Sequence, residues 1–518
     1  MNKALLVAAG ILLSRLAGLV RLRVFAHYFG LESDAADAFN AAFRIPNFLQ
    51  NLFGEGALSA SFIPVYASLV SRGQRREADR VAGTVGAILA LVVSVLVLVG
   101  VLTTSVLIAA IAPGFTGEKR ALTIVIVRIL FPGAGLLVMS AWCLGVLNSH
   151  GRFLLSYTAP VVWNAAMIAT LAAFGAQSTL SRLAVLLAWG SVAGSALQFA
   201  VQLPSVGIVA PDVRLALHVP SQHVRTVVRN FVPVFFSRGV VQVSAYVDTL
   251  LASLLPTGAV TGLANAQLLY TLPVSLFGMS VAAAALPAMA GAAGSDPHGA
   301  QAVRVRLDAG LRQIAFFVVP SAVAFLALGD VVAAALLQTG RFRHADAVFV
   351  WGILAGSAVG LLASTLGRLY SSTYYALSDA RTPLRYALVR VALTTMLGYL
   401  FAIPLPRWLG VPALWGAAGL TASAGIAGWV EMLLLRRTLN ARIGRTGLPS
   451  GYLVQLWLGA VSGAAVAFAI KAALPALHPA LTAVCVLGPY GLVFLGAMLA
   501  LRVPEASAVF RNRAGRFR

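Results

Sequence analysis

The stretch AGTVGAILALVVSVLVLVGVLTTSVLIAAIA (residues 82–112) contains no charged side chain. A helix needs about 20 consecutive apolar residues to cross the hydrocarbon core of a bilayer. Two less uniform segments precede this run, 4–27 and 36–68, and similar runs follow it at 121–147, 156–176, 183–204, 231–255, 262–290, 311–337, 347–377, 384–404, 409–435, 452–475 and 479–502. Together they predict an all-α integral membrane protein with about fourteen transmembrane helices.

The composition agrees with that class. Of the 518 residues, 59% are hydrophobic and only 10% are charged, which is typical of a polytopic membrane protein. The first residues look like a signal peptide, but Arg15, Arg21 and Arg23 stand where a small-residue cleavage site is needed, which predicts an uncleaved helix. The chain has no phosphate-binding Gly-rich loop, no metalloprotease motif and no metal-ligand spacing. We therefore expect a protein that is not an enzyme and has no cofactor or metal.

The net charge of +22 falls mainly in alternate loops, not on one nucleic-acid-binding face. With the N-terminus on the cytoplasmic side, the inner loops hold most of the arginines, including Arg72, Arg75, Arg76, Arg80, Arg225, Arg229, Arg304, Arg306, Arg381, Arg385, Arg436, Arg437, Arg442 and Arg445. This positive-inside bias predicts that both termini are cytoplasmic. The basic face is expected to attract anionic membrane lipids, and nucleic acid is excluded as a partner.

An internal repeat relates the two halves of the chain. The segments 144–161 and 366–384 share Leu-Gly-x-Leu, a polar turn and a Pro, and 44–64 resembles 271–287 around Phe-Gly. The offset of about 225 residues spans six predicted helices, which predicts a parallel pseudo-two-fold repeat of two six-helix lobes. The predicted domains are an N-lobe (1–204), a cytoplasmic linker (205–230), a C-lobe (231–440), and helices 13 and 14 with a basic tail (441–518).

Charged side chains within the predicted spans mark the candidate site, because such groups normally face a bundle interior or a water-filled cavity. The acids are Asp37, Glu55, Asp248 and Glu431, and the bases are Arg15, Arg21, Arg23, Arg44, Arg128, Arg238, Arg368 and Arg390. The surplus of arginine favours an anionic substrate, since a guanidinium makes forked hydrogen bonds to phosphate oxygens.

Structural alternatives stay open for several of these residues. Arg23 could reach the outer interface, and Asp37 could be the ion-pair partner of one of the first-helix arginines. Glu55, between two glycines, could mark a helix bend. Arg128, Arg390 and Glu431 are expected to be structural or interfacial charges.

The segment SRLAGLVR followed by DAADAFNAAFRIPNFLQNLFGEGALSASFIPVYA resembles the opening of MurJ-type (MviN-like) lipid II flippases, of the multidrug/oligosaccharidyl-lipid/polysaccharide exporter superfamily. Later landmarks are APGF (112–115), GVLNSHGRF (145–153) and YYALSDARTP (374–383), and the likeness spans about residues 5–500. The resemblance implies fourteen helices, two lobes around a cationic cavity, and a hydrophobic groove at helices 13 and 14. It also implies movement of a peptidoglycan precursor linked to undecaprenyl diphosphate.

The resemblance assigns a substrate-binding role to Arg15, Arg21, Asp37, Asn47 and Glu55. The chain departs from the family at Gln50 and Leu268, where arginine is usual, and at Leu22, where an acid is usual. Arg238, Arg23 or Arg368 could compensate. The set proposed to bind substrate is Arg15, Arg21, Asp37, Asn47, Gln50, Glu55 and Arg238.

These observations predict a flippase for lipid II in the bacterial cytoplasmic (inner) membrane, working by alternating access. The expected partners are lipid II or a related glycolipid, membrane lipids and cell-wall synthesis proteins, and we expect a monomer. Three alternatives remain: a flippase for another polyprenyl-diphosphate glycan, a cation-coupled exporter of the same superfamily, and a non-transporting scaffold for cell-wall enzymes.

Overall fold

The computed structural model describes residues 3–217, 221–293 and 299–507, and these form helices with no β-strand. The first half contains α1 (Lys3–Phe29), α2 (Asp34–Leu49), α3 (Ser59–Ser71), α4 (Arg75–Leu102), α5 (Thr104–Ile111), α6 (Gly117–Ser149), α7 (Phe153–Phe174), α8 (Leu180–Val209) and α9 (Gln222–Ser253). The second half contains α10 (Ala259–Pro273), α11 (Ser280–Ala293), α12 (Gly299–Leu337), α13 (His344–Ala376), α14 (Arg381–Ala402), α15 (Pro404–Trp408), α16 (Gly416–Ile443), α17 (Ser450–Ala473) and α18 (Pro479–Ala500).

Length and hydropathy identify the membrane-crossing elements. Among the described residues, eleven helices or continuous helical runs are long and apolar enough to cross a bilayer. The less apolar segments predicted at 4–27, 36–68 and 231–255 are also helical, as α1, α2 with α3, and α9. The prediction of an all-α, multi-pass membrane protein is confirmed, and the count of fourteen spans remains a prediction.

The chain divides into two compact units. Unit 1 comprises residues 1–261 with Thr339–Phe342, and unit 2 comprises Gly262–Gln338 with the chain from Arg343 onward. The division therefore falls inside α10. The lobes predicted from the repeat remain a prediction.

In unit 1, α6 is the most buried spanning helix, and it packs against α2, α4 and α8. Helices α7 and α8 approach closely at Gly190, where a Cβ atom would lie 2.2 Å from Thr170 Oγ1. In a bilayer the hydrophobic effect does not drive helices together, so their association depends on van der Waals packing. Small residues strengthen this packing because they let the helix backbones approach closely. The centre of unit 1 is thus α6, which contacts the site helices α2 and α7, and α1 in turn packs against α7.

In unit 2, α13 lies between α12 and α16. A Cβ atom on Gly360 would lie 2.2 Å from Gly425 Cα, so the α13–α16 contact requires glycine. Two ion pairs join α12 to the chain from α17 onward. Lys471 Nζ of α17 lies 2.5 Å from Asp330 Oδ2, and Glu505 Oε1, after the end of α18, lies 2.7 Å from Arg312 Nε. The last two helices, α17 and α18, therefore pack as part of unit 2.

The predicted segment boundaries differ from the structure in two places. The predicted span 82–112 is broken at Thr103, between α4 and α5. The predicted linker 205–230 is much shorter, because α8 continues to Val209 and α9 begins at Gln222. The hydroxyl of Ser221 accepts a hydrogen bond from Val224 N at 3.5 Å, which caps a polar first turn that hydropathy alone misses.

Two segments adopt π-helix, Gln50–Leu58 between α2 and α3 and Val274–Met279 between α10 and α11. Each contains one of the Phe-Gly pairs of the predicted repeat, Phe53-Gly54 and Phe277-Gly278. A π-helix carries an extra residue per turn and is rare, so it interrupts the regular α-helical ladder at both positions. The bend anticipated near Glu55 corresponds to the first of these segments.

Candidate substrate-binding site

Arg21 projects from α1 into a small pocket of unit 1. The pocket has a volume of about 30 Å³ and is lined by the residues Arg21, Leu22, Phe25, Phe39, Asn40, Phe43, Met167, Leu171 and Leu187. A volume of this size holds about two water molecules. It is too small for a sugar-diphosphate group, so substrate binding at Arg21 requires the pocket to widen.

The contacts of the Arg21 guanidinium are weak ones. Its Cζ lies 4.9 Å from the centre of the Phe43 ring and 5.4 Å from that of Trp163. Its Nη1 donates to the sulfur of Met167 at 3.6 Å. The two rings stack on each other with their centroids 5.4 Å apart and their planes at 9°.

No carboxylate among the described residues pairs with Arg21. Cation–π contacts and a thioether acceptor compensate its charge only partly, since each is weaker than an ion pair in an apolar setting. An anion entering this pocket would therefore find most of the guanidinium donors free.

Asp37 is not paired with an arginine of α1, which corrects the expectation from the sequence. Its carboxylate is 1% exposed and accepts from Lys119 Nζ at 2.8 Å, Gly258 N at 2.9 Å, Thr261 N at 2.9 Å and Thr261 Oγ1 at 2.7 Å. Lys119 lies near the start of α6. The carboxylate also lies at the first turn of α10, where free N–H groups and the helix dipole favour a negative charge.

Asp34, one helical turn earlier, belongs to the same network. Lys119 Nζ lies 3.1 Å from its Oδ1, and the Thr257 hydroxyl donates to that oxygen at 2.7 Å. Partial burial would raise the pKa of Asp34, but the bonds from Thr257 and Lys119 outweigh it and hold the pKa below its usual value. The two aspartates and Lys119 therefore join α2, α6 and the segment before α10.

The pocket at Arg21 borders this network through Asn40. The amide Nδ2 of Asn40 donates to Ala36 O at 3.0 Å and to Thr261 Oγ1 at 3.3 Å. Thr261 in turn donates to Asp37. Two hydrogen bonds thus connect Asn40 in the pocket wall to the buried carboxylate of Asp37. The sequence did not indicate this connection.

Arg44 and Asp248 are brought together, although 204 positions separate them in the sequence. The charge of Asp248 and the phenol of Tyr246, both on α9, act on the Arg44 guanidinium of α2. The ring of Phe48 meets Tyr246 edge to face at 5.2 Å. This arrangement favours a structural role for Arg44 and Asp248.

The other predicted site residues occupy different surroundings. Arg15 is exposed and is not among the residues that line the Arg21 pocket. Asn47 and Gln50 are partly buried where α2 gives way to the π-helical segment. The side chains of Glu55 and Arg238 lie outside the described part of the structure.

Sequence reasoning missed the three side chains that surround the guanidinium, Phe43, Trp163 and Met167. Phe43 is the neighbour of Arg44 in α2, and Trp163 lies in α7. Their residue types alone gave no signal, because aromatic and Met side chains are abundant in apolar helices.

The model of the family described as lipid II flippase MurJ matches residues 25–497. A lipid II flippase MurJ of Burkholderia cenocepacia is 33% identical over 450 residues, covering 85% of this chain and 84% of that protein. A probable lipid II flippase MurJ of Vibrio cholerae is 28% identical over 449 residues, covering 85% and 83%.

Solved structures agree on the fold. A lipid II flippase MurJ in an inward closed conformation superposes with a TM-score of 0.78 at 22% identity, covering 96% of this chain and 99% of that one. An inward-facing multidrug resistance transporter of the MATE family, in the MOP superfamily, gives a TM-score of 0.68 at 17% identity, covering 85% and 99%. The match over residues 25–497 and the 33% identity decide the assignment: the chain belongs to the lipid II flippase MurJ family.

Proposed function

We propose that this chain moves lipid II, the peptidoglycan precursor carried on a polyprenyl diphosphate, from the inner to the outer leaflet of the bacterial cytoplasmic membrane. The names of its relatives and its membership of the family support this substrate. The observation that carries the proposal is the partly buried Arg21, which faces a pocket and has no carboxylate partner among the described residues.

The mechanism follows from the contacts of Arg21. When the pocket widens, the diphosphate replaces the Met167 sulfur as hydrogen-bond acceptor and gains a charge-assisted, forked contact. The rings of Phe43 and Trp163 hold the guanidinium in place before and after binding. No covalent bond forms or breaks, since the headgroup is only bound, exposed on the other side and released.

Asp37 has a positioning role in this proposal and does not bind substrate directly. Both of its oxygens are occupied by Lys119, Gly258 and Thr261, so a substrate would have to displace good donors. Through Thr261 and Asn40 it sets one wall of the Arg21 pocket.

The proposed orientation places both termini in the cytoplasm. Its support is the distribution of arginine between alternate loops, which the positive-inside rule relates to the cytoplasmic side. With this orientation, the Asp37 network lies at the outer ends of α2 and α6.

A cation-coupled exporter is the second candidate, since MATE transporters share the fold. The charge at the pocket disfavours it, because a site for organic cations needs carboxylates where this chain places a guanidinium.

Complementation tests the proposal. The chain is expressed in cells depleted of their own lipid II flippase, with immunodetection in membranes as the control for insertion. Survival is the expected result. Lysis of cells that contain correctly inserted protein would contradict the lipid II assignment.

A further inference from the structure

Arg368 of unit 2 is a charged side chain that the proposed function does not use. It lies on α13 eight residues before the last residue, Ala376, about 12 Å from the end of a helix roughly 50 Å long. The residues on either side of it, Gly367 and Leu369, are buried, whereas the Arg368 side chain is exposed. Arg368 therefore lies within a spanning helix and not at its tip.

No hydrogen bond or ion pair joins Arg368 to another described residue. A guanidinium within a membrane-spanning helix is costly, and such groups normally pair or face a cavity. Arg368 has no such ion-pair partner among the described residues, so its N–H donors are available to a ligand.

The groups around Arg368 carry a net positive charge. Arg390 of α14 and Glu431 of α16 form an ion pair, Nη1–Oε2 at 3.1 Å, and the charges of both act on Arg368. Arg368 therefore lies within electrostatic range of one carboxylate, and that carboxylate is already paired with Arg390. The ion pair uses a single Arg390 nitrogen, so that side chain also keeps donors to spare.

Hydroxyl groups complete the surroundings. Ser364 precedes Arg368 by one helical turn and therefore lies on the same face of α13. Its Oγ is 2.6 Å from the Tyr270 hydroxyl of α10, and the Tyr270 phenol also acts on Arg368. Guanidinium groups and hydroxyls from α10, α13 and α14 therefore lie within electrostatic range of Arg368.

We propose that Arg368, assisted by Arg390 and the Ser364–Tyr270 hydroxyl pair, forms a phosphate-binding site in unit 2, separate from the Arg21 pocket. A surplus of positive charge excludes metal cations, and the forked donors match the oxygens of a phosphate. The ligand is the phosphate group of a membrane lipid, which is either a polyprenyl diphosphate or the phosphodiester of an anionic phospholipid.

The test measures binding to the full chain purified in detergent. All variants carry Arg21→Gln, so that binding at the Arg21 pocket does not hide the second site. The probes are farnesyl diphosphate, inorganic diphosphate and phosphatidylglycerol, each titrated with calorimetric or native mass-spectrometric detection. Arg128→Gln is the matched control, because Arg128 is also an exposed arginine in a spanning helix, α6, with no ion pair to a described residue.

Arg368→Gln is expected to weaken binding about tenfold or more, since it removes hydrogen bonds to a charged group. Arg128→Gln is expected to change binding less than about twofold. If Arg368→Gln loses affinity for the two diphosphates, the ligand of the site is a polyprenyl diphosphate. If it loses affinity for phosphatidylglycerol alone, the ligand is a phospholipid. Unchanged binding of all three probes, or an equal loss in Arg128→Gln, overturns the proposal.

Arg368→Lys covers the case in which Arg368→Gln does not fold. It keeps the charge but loses the fork, so binding is expected to weaken by about threefold. Parent-like affinity for every probe in a folded Arg368→Lys, Tyr270→Phe double variant would equally overturn the proposal. This experiment measures binding and not transport. A negative result would therefore rule out the second site without ruling out the proposed flippase activity, which is tested separately.

Discussion

At the scale of single residues, the energetics of Arg21 explain why an arginine lies in the first apolar helix. An arginine at the centre of a membrane helix costs about 2.5–3.5 kcal/mol on insertion scales. A cation–π contact returns about 0.5–2 kcal/mol, so Phe43 and Trp163 offset part of this cost. The remainder can be offset by an anionic substrate.

Substitution at Arg21 tests this account. Arg21→Ala is expected to lower the rate of lipid II transport at least tenfold, whereas Arg21→Lys keeps the charge, loses the fork and retains partial transport. Arg128→Ala, at an exposed arginine of α6, is expected to transport at the parent rate. The measurement is the transport rate per inserted protein. A parent-like rate for Arg21→Ala would refute the role of Arg21.

Asp379, in the turn between α13 and α14, carries a prediction about pH. The Thr382 hydroxyl and N–H and the Arg442 guanidinium donate to it, and they hold the pKa of Asp379 well below its usual range. A carboxylate whose pKa is lowered by folding stabilises the fold above its unfolded pKa of about 3.9, and this contribution is lost as the pH falls toward the folded pKa.

Asp379→Asn is therefore expected to lower the free energy of unfolding by about 1 kcal/mol at pH 7, as for the loss of a helix-capping carboxylate. The difference between parent and variant stays constant above about pH 5 and shrinks below about pH 4. Unfolding in detergent followed across this range is the measurement. Asp212→Asn, at an exposed carboxylate, is the control. If the difference in the free energy of unfolding between the parent chain and Asp379→Asn grew as the pH fell, Asp379 would not have the lowered pKa described above.

At the scale of helices, the sequence predicted which segments form apolar helices better than it predicted the interior geometry of those helices. Hydropathy detects an apolar run of spanning length, but Thr103 breaks one run without a change in polarity. The π-helical segments Gln50–Leu58 and Val274–Met279 were visible only as matching Phe-Gly pairs. Their hydrogen-bond pattern depends on packing that no local pattern encodes.

A one-residue deletion tests whether the first π-helical segment matters for transport. Deleting Asn51, which is exposed, removes the extra residue and lets the segment return to α-helix with α3 in register. Deleting Val95 from the regular helix α4 instead rotates every later residue of that helix by about 100°.

The Asn51 deletion is expected to insert and keep its midpoint of thermal unfolding within a few degrees while losing most transport. The Val95 deletion is expected to destabilise the fold. If the Asn51 deletion transports at the parent rate, the π-helical geometry is not needed for the cycle.

At the scale of the whole molecule, composition and charge distribution predicted the class and the family resemblance predicted the fold, and both are confirmed. The partners of individual charges were not predictable. Asp37 meets Lys119 across 82 positions, and Arg44 meets Asp248 across more than 200. Such pairings depend on how helices far apart in sequence are placed side by side.

Cysteine labelling tests the predicted orientation. In a background of Cys143→Ala and Cys485→Ala, exposed positions Ser71 and Gln177 are replaced singly by cysteine. A membrane-impermeant thiol reagent added to spheroplasts is expected to label Gln177→Cys, and to label Ser71→Cys only after the membrane is opened. Labelling of Ser71→Cys in intact spheroplasts would reverse the orientation.

Transport of lipid II by this chain can be measured in vesicles that contain no other protein. The purified chain is reconstituted with fluorescent lipid II, and the fraction reaching the opposite leaflet is followed by a quencher that cannot cross the bilayer. The parent chain is expected to transfer lipid II well above the level of protein-free vesicles. Arg21→Ala is expected to transfer it at least tenfold more slowly than the parent chain. Transfer by the folded chain no faster than in protein-free vesicles would contradict the proposed transport and favour a non-transporting role.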